Sequence, residues 1–209
     1  MQRTEVRRRN RAALLDAAIT EMARRGYQAA RLEDIAASAG LTTGAIYSIF
    51  GSKRKLMDAA VQLVSADLEA DLAPMRAPEL SLDDTLRGYA RTVFTVVTRP
   101  QGRERYAVEL EAVIIALRGD TEAGPVGDAI PAVIDRLTRI LTDRDTPHLP
   151  SGRTTAADAS RIATALAAVL RGLTQQAVLM PGSVDQDYAA DAAAALAGLL
   201  VCSRADTKR

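Results

Sequence analysis

Between residues 42 and 53 the chain places small hydroxyl residues, a glycine, a phenol and an ammonium close together: Thr42, Thr43, Gly44, Ala45, Tyr47, Ser48 and Lys53. These side chains make no nucleophile–base pair and no metal-ligand set. They suit hydrogen bonding to anionic oxygens and to base edges, and the Ala and Thr methyls can touch thymine methyls. Gly44 at the start of a helix lets backbone N–H groups approach a phosphate closely, and a helix N-terminus favours negative charge. Lys53 would open the following helix, where its charge and the helix end act in the same direction.

Such a set works only if short helices hold it rigidly. A first helix is expected from about Arg7 to Arg25, with Leu15, Ala18, Ile19, Met22 and Ala23 as its apolar stripe and Gly26 as a left-handed cap. Residues 32–39 read as a short helix whose N-terminal end suits Glu33 and Asp34. Gly40 makes a turn, and Thr42 caps a helix over 43–49 whose Ile46 and Phe50 face inward. Ser52 caps a long helix from Lys53 to about Leu72. Ser81 and Asp84 mark a further start. The remaining helices read as 82–98, 103–118, 126–143, 155–180 and 184–203, the last preceded by Ser183 and Gln186 at capping-box spacing. Residues 145–155, rich in Pro and Gly, read as a mobile loop.

Strand signals are scarce. Aromatics are 3% of the 209 residues, and no Asn-Gly or Asp-Gly turn joins two alternating apolar runs. The expected fold class is therefore all-α, with about nine helices. No apolar run approaches the ~18 residues of a membrane span, and no apolar segment behind the N-terminal arginines suggests a secretory signal. One cysteine, Cys202, fits a reducing cytoplasm. The net charge of +1 conceals an asymmetry: residues 1–60 carry 11 Lys/Arg against 6 Asp/Glu, and the rest carry 16 against 20. A basic head on an acidic body places a polyanionic partner at the head. The cluster Arg3, Arg7, Arg8, Arg9 and Arg11 is either an arm for the minor groove or a solvated terminus.

The stretch GYQAARLEDIAASAGLTTGAIYSIFGSKRKL, residues 26–56, has the layout of a helix-turn-helix and resembles the DNA-binding domain of tetracycline-repressor (TetR) family regulators. Gly26, Tyr27, Asp34, Ile35, Ala36, Ala39, Gly40, Leu41, Thr42, Gly44, Ile46, Tyr47, Phe50, Lys53 and Leu56 carry the match. The resemblance implies phosphate contacts by Tyr47 and Lys53, with Thr42, Thr43 and Gly44 at the groove. Where family members often have Thr or Ser, this chain has Ala30 and Arg31, so Arg31 is expected to supply that phosphate contact. Where they often have an aromatic residue or His, it has Ile49.

The resemblance implies a DNA-binding domain over 1–58 and a ligand-binding and dimerisation domain over 59–209. The helices 155–180 and 184–203 are apolar on too many sides for ordinary surface helices. Two from each of two chains would make a four-helix bundle, although an intramolecular core accounts for the same pattern. Candidate lining for a pocket comprises Tyr89, Phe94, Tyr106, Glu109, Leu110, Val113, Leu117, Leu173, Gln176 and Met180. Glu109 and Glu111 lie on opposite sides of one helix, so one of them is expected beside Arg105 or Arg118 as a surface pair.

The expected function is a regulator, read first as a repressor, that binds a palindromic double-stranded operator as a homodimer and is released by a small-molecule effector. The alternatives are a constitutive DNA-binding dimer without a switch, and a helical enzyme. The last fits poorly, because a di-iron bundle needs two Glu-x-x-His pairs and the chain has a single histidine, His148. No cofactor, metal or membrane partner is expected.

Overall fold

The computed structural model describes residues 2–117 and 129–200. Among them the chain is all-α, with nine α-helices in the order α1 Gln2–Ala29, α2 Leu32–Ser38, α3 Thr43–Phe50, α4 Lys53–Asp71, α5 Leu82–Thr98, α6 Pro100–Leu117, α7 Ala129–Leu141, α8 Ala156–Leu179 and α9 Gln186–Ala195. Short 3-10 turns cover Ala73–Arg76 and Leu196–Gly198.

Helix starts follow side chains that accept the first free N–H groups. Ser81 accepts from Asp84 N–H at 3.1 Å, and Ser52 from Lys55 N–H at 3.2 Å. Thr155 and Asp158 form a reciprocal capping box. Three helix starts differ from expectation. α1 starts at Gln2, about a turn before Arg7, because Gln, Glu and Arg are good helix formers and Glu5 pairs with Arg8 at 2.7 Å. α6 begins at Pro100, because the first turn tolerates a proline whose missing N–H would have no partner. α9 is capped by Asp185, which accepts from Tyr188 N–H at 2.7 Å, not by the Ser183 and Gln186 pair. Parts of the expected helices 103–118, 126–143 and 184–203, together with Arg118 and Cys202, lie outside the described residues.

The chain divides into two compact units, residues 1–67 with 100–129, and 68–99 with 130–209. The core of the first packs Leu14, Leu15, Ala18 and Met22 of α1 with Ile35 and Ala36 of α2, Ile46 and Phe50 of α3, Leu56, Met57 and Ala60 of α4, and Val108 of α6. The core of the second gathers Leu72, Leu82, Leu86, Tyr89, Leu137, Leu141, Ile162, Leu166 and Leu170. By length and composition alone, α8 is apolar enough to cross a membrane. Its Ile162, Leu166 and Leu170 are instead buried in this core.

Residues 145–155 are not the loose loop the sequence suggests. Asp145 and Arg153 form an antiparallel bridge, Thr146 N–H donates to Gly152 O at 2.8 Å, and Thr154 N–H donates to Arg144 O at 3.0 Å. Thr146, Leu149 and Thr154 are buried, while His148 is exposed. Arg144 fastens this loop: its Nε donates to Ile140 O at 2.7 Å, Nη2 to Met75 O at 3.0 Å, and Nη1 to Ala77 O and Leu80 O.

Candidate nucleic-acid interface

The turn between α2 and α3 follows from Gly40. With φ 65° it occupies the left-handed region that glycine favours. Leu41 N–H then reaches Ala36 O at 2.8 Å, and Gly40 N–H reaches Ala37 O at 3.0 Å, which is the Schellman pattern of a helix end. Leu41 packs against the core. Thr42 is extended, and its hydroxyl oxygen accepts from Ala45 N–H at 3.3 Å, starting α3.

α3 has eight residues, about 12 Å of axis. Ile46 is completely buried and Phe50 nearly so, four residues on along the same face. Those two side chains seat the helix, and the other face is left to solvent. Thr42, Gly44, Tyr47 and Ser48 are exposed, and Thr43 and Ala45 are half-buried. Tyr47 is 56% exposed, so packing does not explain a tyrosine there. A Cβ added at Gly44 would meet nothing nearer than Thr42 Oγ1 at 3.6 Å. Folding therefore does not demand this glycine, and the space above it is open. Ile49 is half-buried against the core.

Arg31 precedes α2 in extended conformation, makes no side-chain cap and is exposed. Ala30 before it is buried, so the core takes up the position where a hydroxyl is absent. Arg25 joins α1 to α2: its Nε lies 2.8 Å from the buried Glu21 carboxylate and its Nη1 lies 3.2 Å from Asp34. Among the N-terminal arginines, Arg8 pairs with Glu5 and Arg11 stands over the Phe50 ring at 5.4 Å.

Lys53 is held more firmly than the sequence implied. Its ammonium donates to Gln28 O at 3.1 Å and lies 5.9 Å from the centre of the Tyr27 ring. Desolvation lowers its pKa, partly countered by Glu33. An ammonium has three N–H groups, so two stay available for phosphate. The matched Gly26-Tyr27 pair hinted at this turn, but nothing in the spacing pointed to Gln28. Nor did it point to Glu111 of α6, whose Oε1 accepts from Tyr27 N–H at 3.0 Å. Arg105 pairs with Asp67 at 2.5 Å.

The ten candidate pocket residues fall into both units. Tyr106, Glu109, Leu110, Val113 and Leu117 lie on α6 in the first; Tyr106 is buried, whereas Leu110 and Leu117 are exposed. In the second, Tyr89 belongs to the main core, and Phe94 and Leu173 pack with Ala177, Val184 and Ala189. Gln176 and Met180 are exposed. None of the ten lines a groove of about 610 Å³ in the second unit, formed by Ala132, Asp135, Arg136, Arg139 and Ile140 of α7 with Glu69, Arg76 and Arg144. Its charges are largely committed: Glu69 holds Arg136 at 2.7 Å and Arg76 at 3.6 Å, and Arg144 is spent on carbonyls.

A short helix seated by two buried side chains, following a glycine turn and presenting hydroxyls, a glycine and a phenol outward beside a partly freed ammonium, defines the helix-turn-helix class of DNA-binding regulators. Residues 14–60 match the sequence model of the family described as bacterial regulatory proteins, tetR family. Residues 14–60 are thus a tetR-type DNA-binding domain, and the fold of the whole chain is that of TetR-like regulators. Its fold is similar to that of a TetR family member from Streptomyces coelicolor A3, with 25% identity, TM-score 0.69, and 90% of this chain and 97% of that one covered. It is also similar to a TetR-like transcriptional regulator from Rhodococcus sp. RHA1, with 23% identity, TM-score 0.67 and coverage of 96% and 97%. The fatty acid degradation regulator FadR from Bacillus halodurans shares the fold at 17% identity, TM-score 0.67 and coverage of 91% and 94%. No curated protein matches the chain at the level of sequence.

Proposed function

We propose that this chain is a repressor that binds a palindromic operator as a homodimer in the cytoplasm and is released when residues 59–209 bind a small-molecule effector. The observation that carries the DNA half is the outward face of α3, where Thr42, Gly44, Tyr47 and Ser48 are exposed with no internal role that accounts for Gly44 or Tyr47. In this reading Thr42, Thr43, Gly44, Ala45 and Ser48 meet the groove, and Arg31, Tyr47 and Lys53 meet phosphates. Selection of bound duplexes from a random pool tests it. A two-fold symmetric consensus is expected, and repeating the selection with a small-molecule panel should weaken it for one ligand class. Recovery of no sequence preference would overturn the operator, and an unmoved affinity across the panel would favour a constitutive binder.

Two half-sites about one helical turn or more apart require two heads. The proposed partner surface is the outward face of α8 and α9. The stripe Ile162, Leu166 and Leu170 is used inside the chain. Ala168, Gly172, Gln175 and Gln176 remain outward, with Leu179 70%, Tyr188 60% and Leu199 39% exposed. Such side chains are more apolar than a solvated helix face needs, and small residues permit close helix approach. Light scattering at micromolar concentration should give the dimer mass; the monomer mass would refute this interface.

Tyr47→Ala and Lys53→Ala should each weaken binding to all duplexes alike. Each should reduce the slope of log affinity against log salt, by about one for the lysine. Unchanged affinity and slope in both variants would remove these residues from the interface.

A further inference from the structure

α6 belongs to the same compact unit as α1 to α3. Three of its residues at spacings of four and three, Glu104, Val108 and Glu111, share one helical face and meet α1 or its core. Glu104 accepts from the Thr20 hydroxyl at 3.1 Å, Val108 is completely buried in the head core, and Glu111 accepts from Tyr27 N–H at 3.0 Å.

The last contact falls where α1 is interrupted. Gly26 has φ 78° and ψ 166°, far from helical values near −63° and −42°, so the amide that follows it leaves the helical ladder. The Glu111 carboxylate takes up that amide. A Cβ at residue 26 would stand 3.0 Å from Glu111 Oε1, so the close approach and the positive φ both call for glycine. The turn that Glu111 grips also holds Lys53, through Gln28 O at 3.1 Å and the Tyr27 ring.

We infer that Glu111 is a positioning residue for DNA binding: from α6 it fixes the Gly26–Tyr27 turn, and that turn holds the Lys53 ammonium in the pose that meets phosphate. The inference rests on the reading of Lys53 as a phosphate contact. It makes α6 a control element of the head. Loss of the Glu111 contact alone releases Lys53, while Ile46 and Phe50, the seat of α3, keep their packing in the core.

The test is a double-mutant cycle in the full chain with a random-sequence DNA duplex at low salt, where phosphate contacts dominate. Lys53→Ala should weaken binding about tenfold in the parent, as loss of one charge-assisted contact does, but less than about twofold in Glu111→Ala. Glu111→Gln keeps an acceptor oxygen and should restore most of the Lys53 dependence. Amide exchange at Tyr27 should quicken at least about tenfold in Glu111→Ala, with Ile46 unchanged. Additive affinity losses would reduce Glu111 to a structural residue and overturn the inference, as would unaltered Tyr27 exchange. No effect of Lys53→Ala in the parent would overturn the phosphate contact itself, and Tyr27 exchange would then report on the grip alone. Should Glu111→Ala fail to fold, Glu111→Asp, one methylene shorter, is expected to show the same non-additivity in smaller measure.

Discussion

Ile46→Ala is expected to cost the N-terminal unit about 2–4 kcal/mol and to abolish DNA binding at concentrations that saturate the parent. Ile46 has 0% exposure and packs in the core that joins α1, α2 and α4. Removing its outer carbons forfeits their transfer free energy and leaves a cavity that tightly packed neighbours fill only in part. The loss falls on a helix of eight residues with just one other buried side chain, Phe50. Such a helix is too short to persist without packing, so losing half its seat loosens the whole reading face. Protection of the α3 amides from hydrogen exchange and DNA affinity should therefore fall together. Ser48→Ala, two residues on and exposed, should leave stability within about 0.5 kcal/mol. If Ile46→Ala kept parental α3 protection, α3 would be held by something other than this core.

Arg144→Ala should destabilise the second unit by about 3–5 kcal/mol, in the range seen when a buried charged partner is deleted. Arg144 is 5% exposed, and its guanidinium joins three segments, through Ile140 O, Met75 O, and the pair Ala77 O and Leu80 O. Burial pushes its pKa below the ordinary arginine range, partly countered by Glu79. The carbonyls around it replace the water it gave up. With alanine they would face a cavity, and each unpaired carbonyl carries its own desolvation cost. Arg144→Lys should recover less than half, since an ammonium's three donors cannot span the planar fork that these acceptors require. Urea unfolding followed by a probe in α7 measures both variants. A loss below about 1 kcal/mol for alanine would mean that water replaces the guanidinium.

Local signals were the most legible in the sequence. Gly40, Thr42, Ser52 and Ser81 act within a turn of their own position, and each is readable because its hydrogen-bond partners are three to five residues away. The seat of α3 was readable too, since Ile46 and Phe50 follow helical spacing. What could not be read depends on groups distant in the chain. Glu111 looked like a surface carboxylate until it met an amide 84 residues away. Arg144 lies beside an apparent Pro-rich loop, and its carbonyl partners at Met75, Ala77 and Leu80, more than 60 residues away, add to the loop's own bridge in fixing it. The Ser183 cap failed by two residues because Asp185 offers a charged acceptor at the point where the chain re-enters a helix. Most of the ten candidate pocket residues are apolar, a character that cannot separate core from cavity, and they fall into both units.

The head is assembled from two stretches of chain, 1–67 and 100–129. During synthesis, α1 to α4 are made well before Glu104, Val108 and Glu111 emerge, at a pace of about 5–20 residues per second. For some seconds the nascent head therefore lacks the side chain that fills part of its core and the carboxylate that closes its Gly26 turn. Maturation of this DNA reader is thus set late in translation, and a gene fragment ending near residue 67 would encode a head permanently arrested at that stage.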